Sequence, residues 1–306
     1  MKIKSMFICL LCVVMLGVAV PWSYAAIYSG PTDTNHAVDP AIEATSSLIK
    51  GWATGYVNYI PAPGLTSNSD PSKATGPYGD GTVSLGDLNQ AQIESWVTNP
   101  QSNPGPGEIT LTFSAPITNG PGFDFAVFEN GFVFPSDPYL FAEVAYVEVS
   151  TDGVQFARFP NDTQNDYGWE GDYGRNFGGY DSTGFYNLVG KHAASYGTPF
   201  DLDDLLSHDL VLSGNVDLGI INYVKMFDIP GIGAFDSDGN SLGSPHPVFT
   251  DSDGDPIYDN WLTTGTGGLD LDAVGVINAV PIPGAVWLLG SGLLGLVCFR
   301  RRKTTS

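Results

Sequence analysis

Cysteine is almost missing from these 306 residues, and where it is missing matters most. The three present, Cys9, Cys12 and Cys298, all lie in apolar terminal stretches, so the long middle of the chain has none. That excludes a disulfide framework, a CxxC redox pair and a thiolate metal site from the central region. A segment of about 250 residues can bury a core large enough to stand without such staples. Basic side chains are scarce too: 12 Lys and Arg face 33 Asp and Glu. Six of the 12 (Lys2, Lys4, Arg300, Arg301, Arg302 and Lys303) sit at the two ends, leaving six against all 33 carboxylates in residues 26–279, a formal charge of −27. Nucleic acid is excluded as a partner for such a surface, because phosphate binding rests on Lys and Arg. Histidine is sparse and scattered (His36, His192, His208, His246), without an HExxH spacing. A Ser-His-Asp elbow and a phosphate loop are likewise lacking.

What the chain does have is short apolar runs cut by 38 Gly and 22 Pro. Glu108–Phe113 alternates cleanly, with Ile109, Leu111 and Phe113 on one face. Phe123–Phe128, Phe141–Ser150, Val154–Phe159, Asn222–Phe227 and Asp270–Ala279 read as further strands. Asp152-Gly153 supplies positive-φ positions for a tight hairpin. One short helix is expected at Asp201–Leu206, where acidic residues suit the start. The predicted fold is all-β, a single antiparallel β-sandwich over 26–279, jelly-roll-like. Its first part, to Asn103, is loop-rich, with Trp52, Tyr56, Tyr59 and Ile60 packing along the sandwich. A long surface loop is expected at Asn161–Gly184.

Three constellations are candidates for chemistry. Asp236, Asp238 and Asn240, then Asp251, Asp253 and Asp255, place oxygens at alternate positions around Gly, as a calcium loop does; an acidic solvated turn has the same pattern. Pro256 and Leu262 stand where an EF-hand needs Gly and Glu. Glu129, Glu143, Asp228, Asp270 and Asp272 lie at strand ends, and Asp270 and Asp272 share parity. Ordinary hydrogen bonding, a calcium site using Glu129, Glu143, Asp270 and Asp272, and a glycosidase carboxylate pair are the alternatives there. Tyr167, Trp169 and Tyr173, interleaved with Asp, Asn and Gly, have the composition of a saccharide-stacking surface or of a packing lid.

The ends carry transport signals. Lys2 and Lys4 precede an apolar run, Met6 to Val20, then Ser23-Tyr24-Ala25-Ala26, which predicts a secretory signal peptide over 1–25. Residues 280–303 read Val280-Pro281-Ile282-Pro283, an uncharged run from Ala285 to Phe299 with Trp287 near its start, and Arg300-Arg301-Arg302-Lys303. The run is short against the roughly 20 residues that span a bilayer, and the cations keep its end cytoplasmic.

That tail resembles the PEP-CTERM sorting signal of Gram-negative bacteria, in its Val-Pro-x-Pro element, its Trp287-to-Leu296 block and its Arg cluster. Ile282 stands where that family usually has Glu. The resemblance implies a membrane exosortase and the secretion machinery as partners, a transient inner-membrane stage, and delivery to the cell surface or extracellular matrix. Residues 26–279 more loosely resemble ectodomains that accompany the signal, and the Ser150–Val154 hairpin is similar to those of galactose-binding-like and discoidin-type sandwiches. The expected role is non-catalytic binding or structural work in extracellular polysaccharide, with calcium as the structural ion. A secreted carbohydrate-active enzyme using paired carboxylates is the alternative.

Overall fold

The computed structural model describes residues 40–99, 105–134, 139–141, 143–163, 180–230, 249–255, 257 and 267–281. The signal peptide, Tyr167, Trp169 and Tyr173, Asp236, Asp238 and Asn240, and the tail from Ile282 onward (Pro283, Trp287, Arg300, Arg301 and Arg302 included) lie outside them. Among the described residues no helix is long and apolar enough to cross a membrane.

The strands run in chain order from β1 (Ile42–Glu43), β2 (Gly51–Ile60) and β3 (Val83–Ser84) to β4 (Glu108–Ile117) and β5 (Phe125–Glu129). Then come β6 (Phe132–Val133), β7 (Tyr139–Phe141), β8 (Ala145–Ser150), β9 (Ala157–Arg158) and β10 (Tyr180–Asp181). The last are β11 (Leu188–Val189), β12 (Tyr196–Phe200), β13 (Ile221–Asp228) and β14 (Asp270–Val276). Eleven of them form one antiparallel sheet, ordered β1-β12-β5-β14-β2-β4-β13-β8-β11, with β3 on β14 and β9 on β8. β10, β7 and β6 make a small second sheet.

The large sheet curls into a half-barrel around a single core, and strand alternation explains how. Phe125 and Val127 of β5, Ile109 and Leu111 of β4, Val147 and Val149 of β8, and Val224 and Met226 of β13 all enter the same buried cluster. Residues of opposite parity face outward: Ala126 and Phe128 meet Ile42 and Ala273 in one outer cluster, and Tyr146 joins Leu140, Tyr180 and Phe185 in another. In the main core Phe125 stacks on Phe200 at 5.2 Å, and Phe159 meets both edge-on at 5.8 and 5.1 Å.

The curl turns on β2, which the sequence leaves in a loop-rich region. Gly51 and Trp52 pair with β14, while Ala53 to Ile60 pair with β4 through two register shifts. Gly51 and Gly55 remove side chains from the strand, so alternation is blurred where the sheet bends. Helix α1 (Gln90–Thr98) is missed as well, as are the short strands β1, β3, β6, β10 and β11 and the longer β12; in α1, Asn89 and Gln92 form a reciprocal capping box. Just ahead of β4, Gly107 meets the Leu85 carbonyl so closely that a Cβ would stand 2.0 Å from its oxygen.

The expected helix near Asp201 is a 3₁₀ turn, Leu202–Leu205, capped by Asp201, with helix α2 (Asp209–Leu212) following. The hairpin after β8 is longer than a tight two-residue turn, since Val149 pairs with Ala157 and Glu148 with Arg158. Asp152 Oδ1 accepts from the N–H groups of Val154 and Gln155, and Gly153 takes φ 76°.

Candidate functional site

The strand-end carboxylates are buried, and their partners are mainly backbone N–H groups. Asp124 accepts from Gly120 N (2.8 Å), Leu202 N (2.8 Å) and Asn278 Nδ2 (2.9 Å). Asp228 Oδ1 accepts from Leu269 N at 2.7 Å, Asp272 Oδ1 from Gly79 N at 2.8 Å, and Glu129 Oε2 from Gly131 N at 2.7 Å. The bonds of Asp124 to Leu202 and Asn278, of Asp228 to Leu269 and of Asp272 to Gly79 join segments far apart in the chain, a job that suits a carboxylate with its several lone pairs; those of Glu129 to Gly131 and Asp124 to Gly120 close local turns. Glu143 is buried just ahead of β8.

Asp270 and Asp272 share parity but not surroundings, because a register shift between Leu271 and Ala273 breaks the alternation. Asp270 Oδ2 accepts from Asn130 Nδ2 at 3.1 Å, and its buried Oδ1 has no hydrogen-bond partner among the described residues. Ser84 lies near enough to favour the charged form, yet its hydroxyl bonds the Gly267 carbonyl at 3.0 Å. Burial dominates and pushes Asp270 up to about 6, and the same cause raises Asp272. Burial also lifts Asp201 to about 6, with Asp124, Asp203 and Asp204 adding to it.

The Asp251 loop is closed by its own hydrogen bonds. Asp251 Oδ1 accepts from Asp253 N and Asp255 N, while Oδ2 accepts from Thr163 N and Thr163 Oγ1. Asp251 is buried, whereas Asp253 and Asp255 are exposed. Both oxygens of the central carboxylate therefore serve the fold in this arrangement. Among the described residues no three His, Cys, Asp or Glu side chains gather as a metal-holding group.

Sequence reasoning passed over the cations, although six in a stretch this acidic are worth locating one by one. Lys191 is buried, and its Nζ donates to the carbonyls of Ser182 (3.2 Å), Thr183 (3.2 Å) and Phe185 (2.7 Å). Burial lowers its pKa to about 7 and Asp181 opposes the shift. Three acceptors match the three protons of an ammonium group, so the charged form is the one this cage fits.

Arg158 and Lys225 converge on Glu148 in one row across three strands, since Glu148 pairs with Arg158 on β9 and with Lys225 on β13. Arg158 Nε and Nη2 donate to Oε1 (2.9 and 2.7 Å), and Lys225 Nζ reaches Oε2 at 2.5 Å. The Arg158 guanidinium lies 4.0 Å over the Tyr146 ring, and Lys225 lies 4.4 Å over Phe156. Two cations on one carboxylate leave a net positive charge on an otherwise acidic surface.

Beside that row an open cleft of about 280 Å³ lies between Arg158 and Pro160, the Asp204–His208 turn and Ser252. Asp204 Oδ2 accepts from Tyr186 Oη (2.7 Å) and Asn187 Nδ2 (2.9 Å). His208 Nδ1 accepts from Leu210 N at 3.1 Å, which leaves the ring proton of the neutral imidazole on Nε2. Ser252 Oγ accepts from Asn161 N at 2.9 Å and keeps its own proton to donate. Compared with known proteins, the chain matches no protein-family model and no curated protein.

Proposed function

We propose that this chain is an exported cell-surface or extracellular-matrix protein, sorted through its PEP-CTERM-like tail. Its β-sheet, read as a jelly-roll-like sandwich, does non-catalytic binding or structural work in extracellular polysaccharide. One observation carries the non-catalytic part: of the strand-end carboxylates, Glu129, Asp228 and Asp272 each commit an oxygen to a backbone N–H group. A catalytic pair needs carboxylates that face a shared substrate at a set separation. Calcium enters this reading as a structural ion that would dampen the self-repulsion of so acidic a surface.

Cell fractionation with mass spectrometry of the surface-released protein tests the sorting. The expected product starts after Ala25 or Ala26 and ends near Pro283; a cytoplasmic chain would overturn the reading, and a surface chain still ending at Ser306 would make the tail a plain anchor.

The rival, a secreted carbohydrate-active enzyme, draws on the raised pKa of Asp270, a property of general acids. Polysaccharide hydrolysis screens with Asp270→Asn as control decide it: turnover abolished by the substitution would establish the enzyme.

A further inference from the structure

Within that binding role, we infer that the cleft between Arg158, Asp204 and His208 takes a single uronic acid unit of a saccharide. The proposal rests on the reading of this chain as a polysaccharide-associated surface protein and adds the place and the ligand class.

Size comes first. At about 280 Å³ the cleft lies at the lower edge of ligand pockets, suited to one sugar ring. Its lining then sorts the chemistry. Glu148 holds Arg158 through Nε and Nη2, which fixes the guanidinium and, among the described residues, leaves Nη1 to receive a carboxylate. The Tyr146 face beneath it holds the guanidinium plane in place. Lys225 shares Glu148, so the carboxylate does not cancel the charge that a ligand meets.

The rest of the lining suits hydroxyls. His208 offers an Nε2 proton because its Nδ1 is committed to Leu210 N. Ser207 and Ser252 bring hydroxyl groups, and Asp204 brings a carboxylate anchored by Tyr186 and Asn187. Behind Ser252, Asn161 Oδ1 is a buried acceptor without a partner among the described residues. A simple anion would leave Asp204, Ser207, Ser252 and His208 without hydroxyl partners, and a neutral sugar would leave the guanidinium unused. A ring bearing one carboxylate and several hydroxyls offers a partner to each of these groups.

The test is isothermal titration of the purified full-length chain in detergent micelles with sodium glucuronate, glucose and acetate. Glucuronate is expected to bind at least about tenfold more tightly than either of the others. Arg158→Gln and His208→Asn should each weaken it by about tenfold; Asn is itself a good helix cap, so the second variant keeps the turn. No glucuronate binding, equal binding of glucose or acetate, or binding untouched by both variants would each overturn the proposal. Export is read independently by fractionation, so a secreted chain that ignores glucuronate defeats the cleft and leaves the sorting standing.

Discussion

Replacing Asp270 by Asn should make the protein more stable at neutral pH. Asp270 is 8% exposed, and burial holds its pKa at about 6, against 3.8 for the free side chain. The folded state thus binds this proton more tightly than the unfolded chain does. Stability from this group is largest below about pH 4, declines as pH rises toward 6, and is flat above. A gap of about 2 pH units corresponds to about 3 kcal/mol of cost at neutral pH. Asn carries no charge and still offers a carbonyl oxygen to Asn130 Nδ2. Losing the charge-assisted bond returns about 1 kcal/mol, so a net gain of about 1–2 kcal/mol is expected near neutrality. Urea unfolding followed by tryptophan fluorescence at about pH 7.5 and about pH 4 measures both quantities. The wild type should gain stability on acidification, and the advantage of the variant should disappear there. An Asp270→Asn protein less stable than wild type at neutral pH, or a difference independent of pH, would refute the reasoning.

Three other perturbations follow from the packing. Phe125→Ala removes the shared member of the Phe125–Phe159–Phe200 trio and should cost about 3–5 kcal/mol in a thermal or urea melt. Gly107→Ala forces a methyl group against the Leu85 carbonyl, and a loss of about 3 kcal/mol in the same melt is expected. Lys191→Met leaves the carbonyls of Ser182, Thr183 and Phe185 without their donor; hydrogen exchange should rise around residues 182–191, with a stability loss of about 2–3 kcal/mol.

The strands legible in the sequence are those whose two faces meet different surroundings. β4 and β13 alternate because one face enters the main core and the other does not. β2 was unreadable for the same physical reason in reverse: its pairing changes from β14 to β4 part-way, and two register shifts reset which residues point inward. Helix α1 had a local signal, the Asn89–Gln92 box, but it is a single short helix in a stretch dominated by turn residues. The acidic residues were legible as a list and not as roles. What a carboxylate does here depends on partners far along the chain, such as Asn130 for Asp270 and Gly79 for Asp272. Arg158, Lys225 and Lys191 carried only their rarity as a signal.

β14 is the last strand among the described residues, and it lies inside the sheet with β5 on one side and β2 on the other. The chain leaves it through a bridge from Ala279 to Ile117 and a bond from Val280 N to the Pro116 carbonyl, immediately before Pro281. Inter-strand bonds in an antiparallel sheet stand perpendicular to the strand. A pull applied through the tail therefore runs along β14 and loads its bonds to both neighbours in shear, all at once, where an edge strand would peel one bond at a time. Whatever force reaches the domain through residues 277–281 is thus met by a strand paired on both sides.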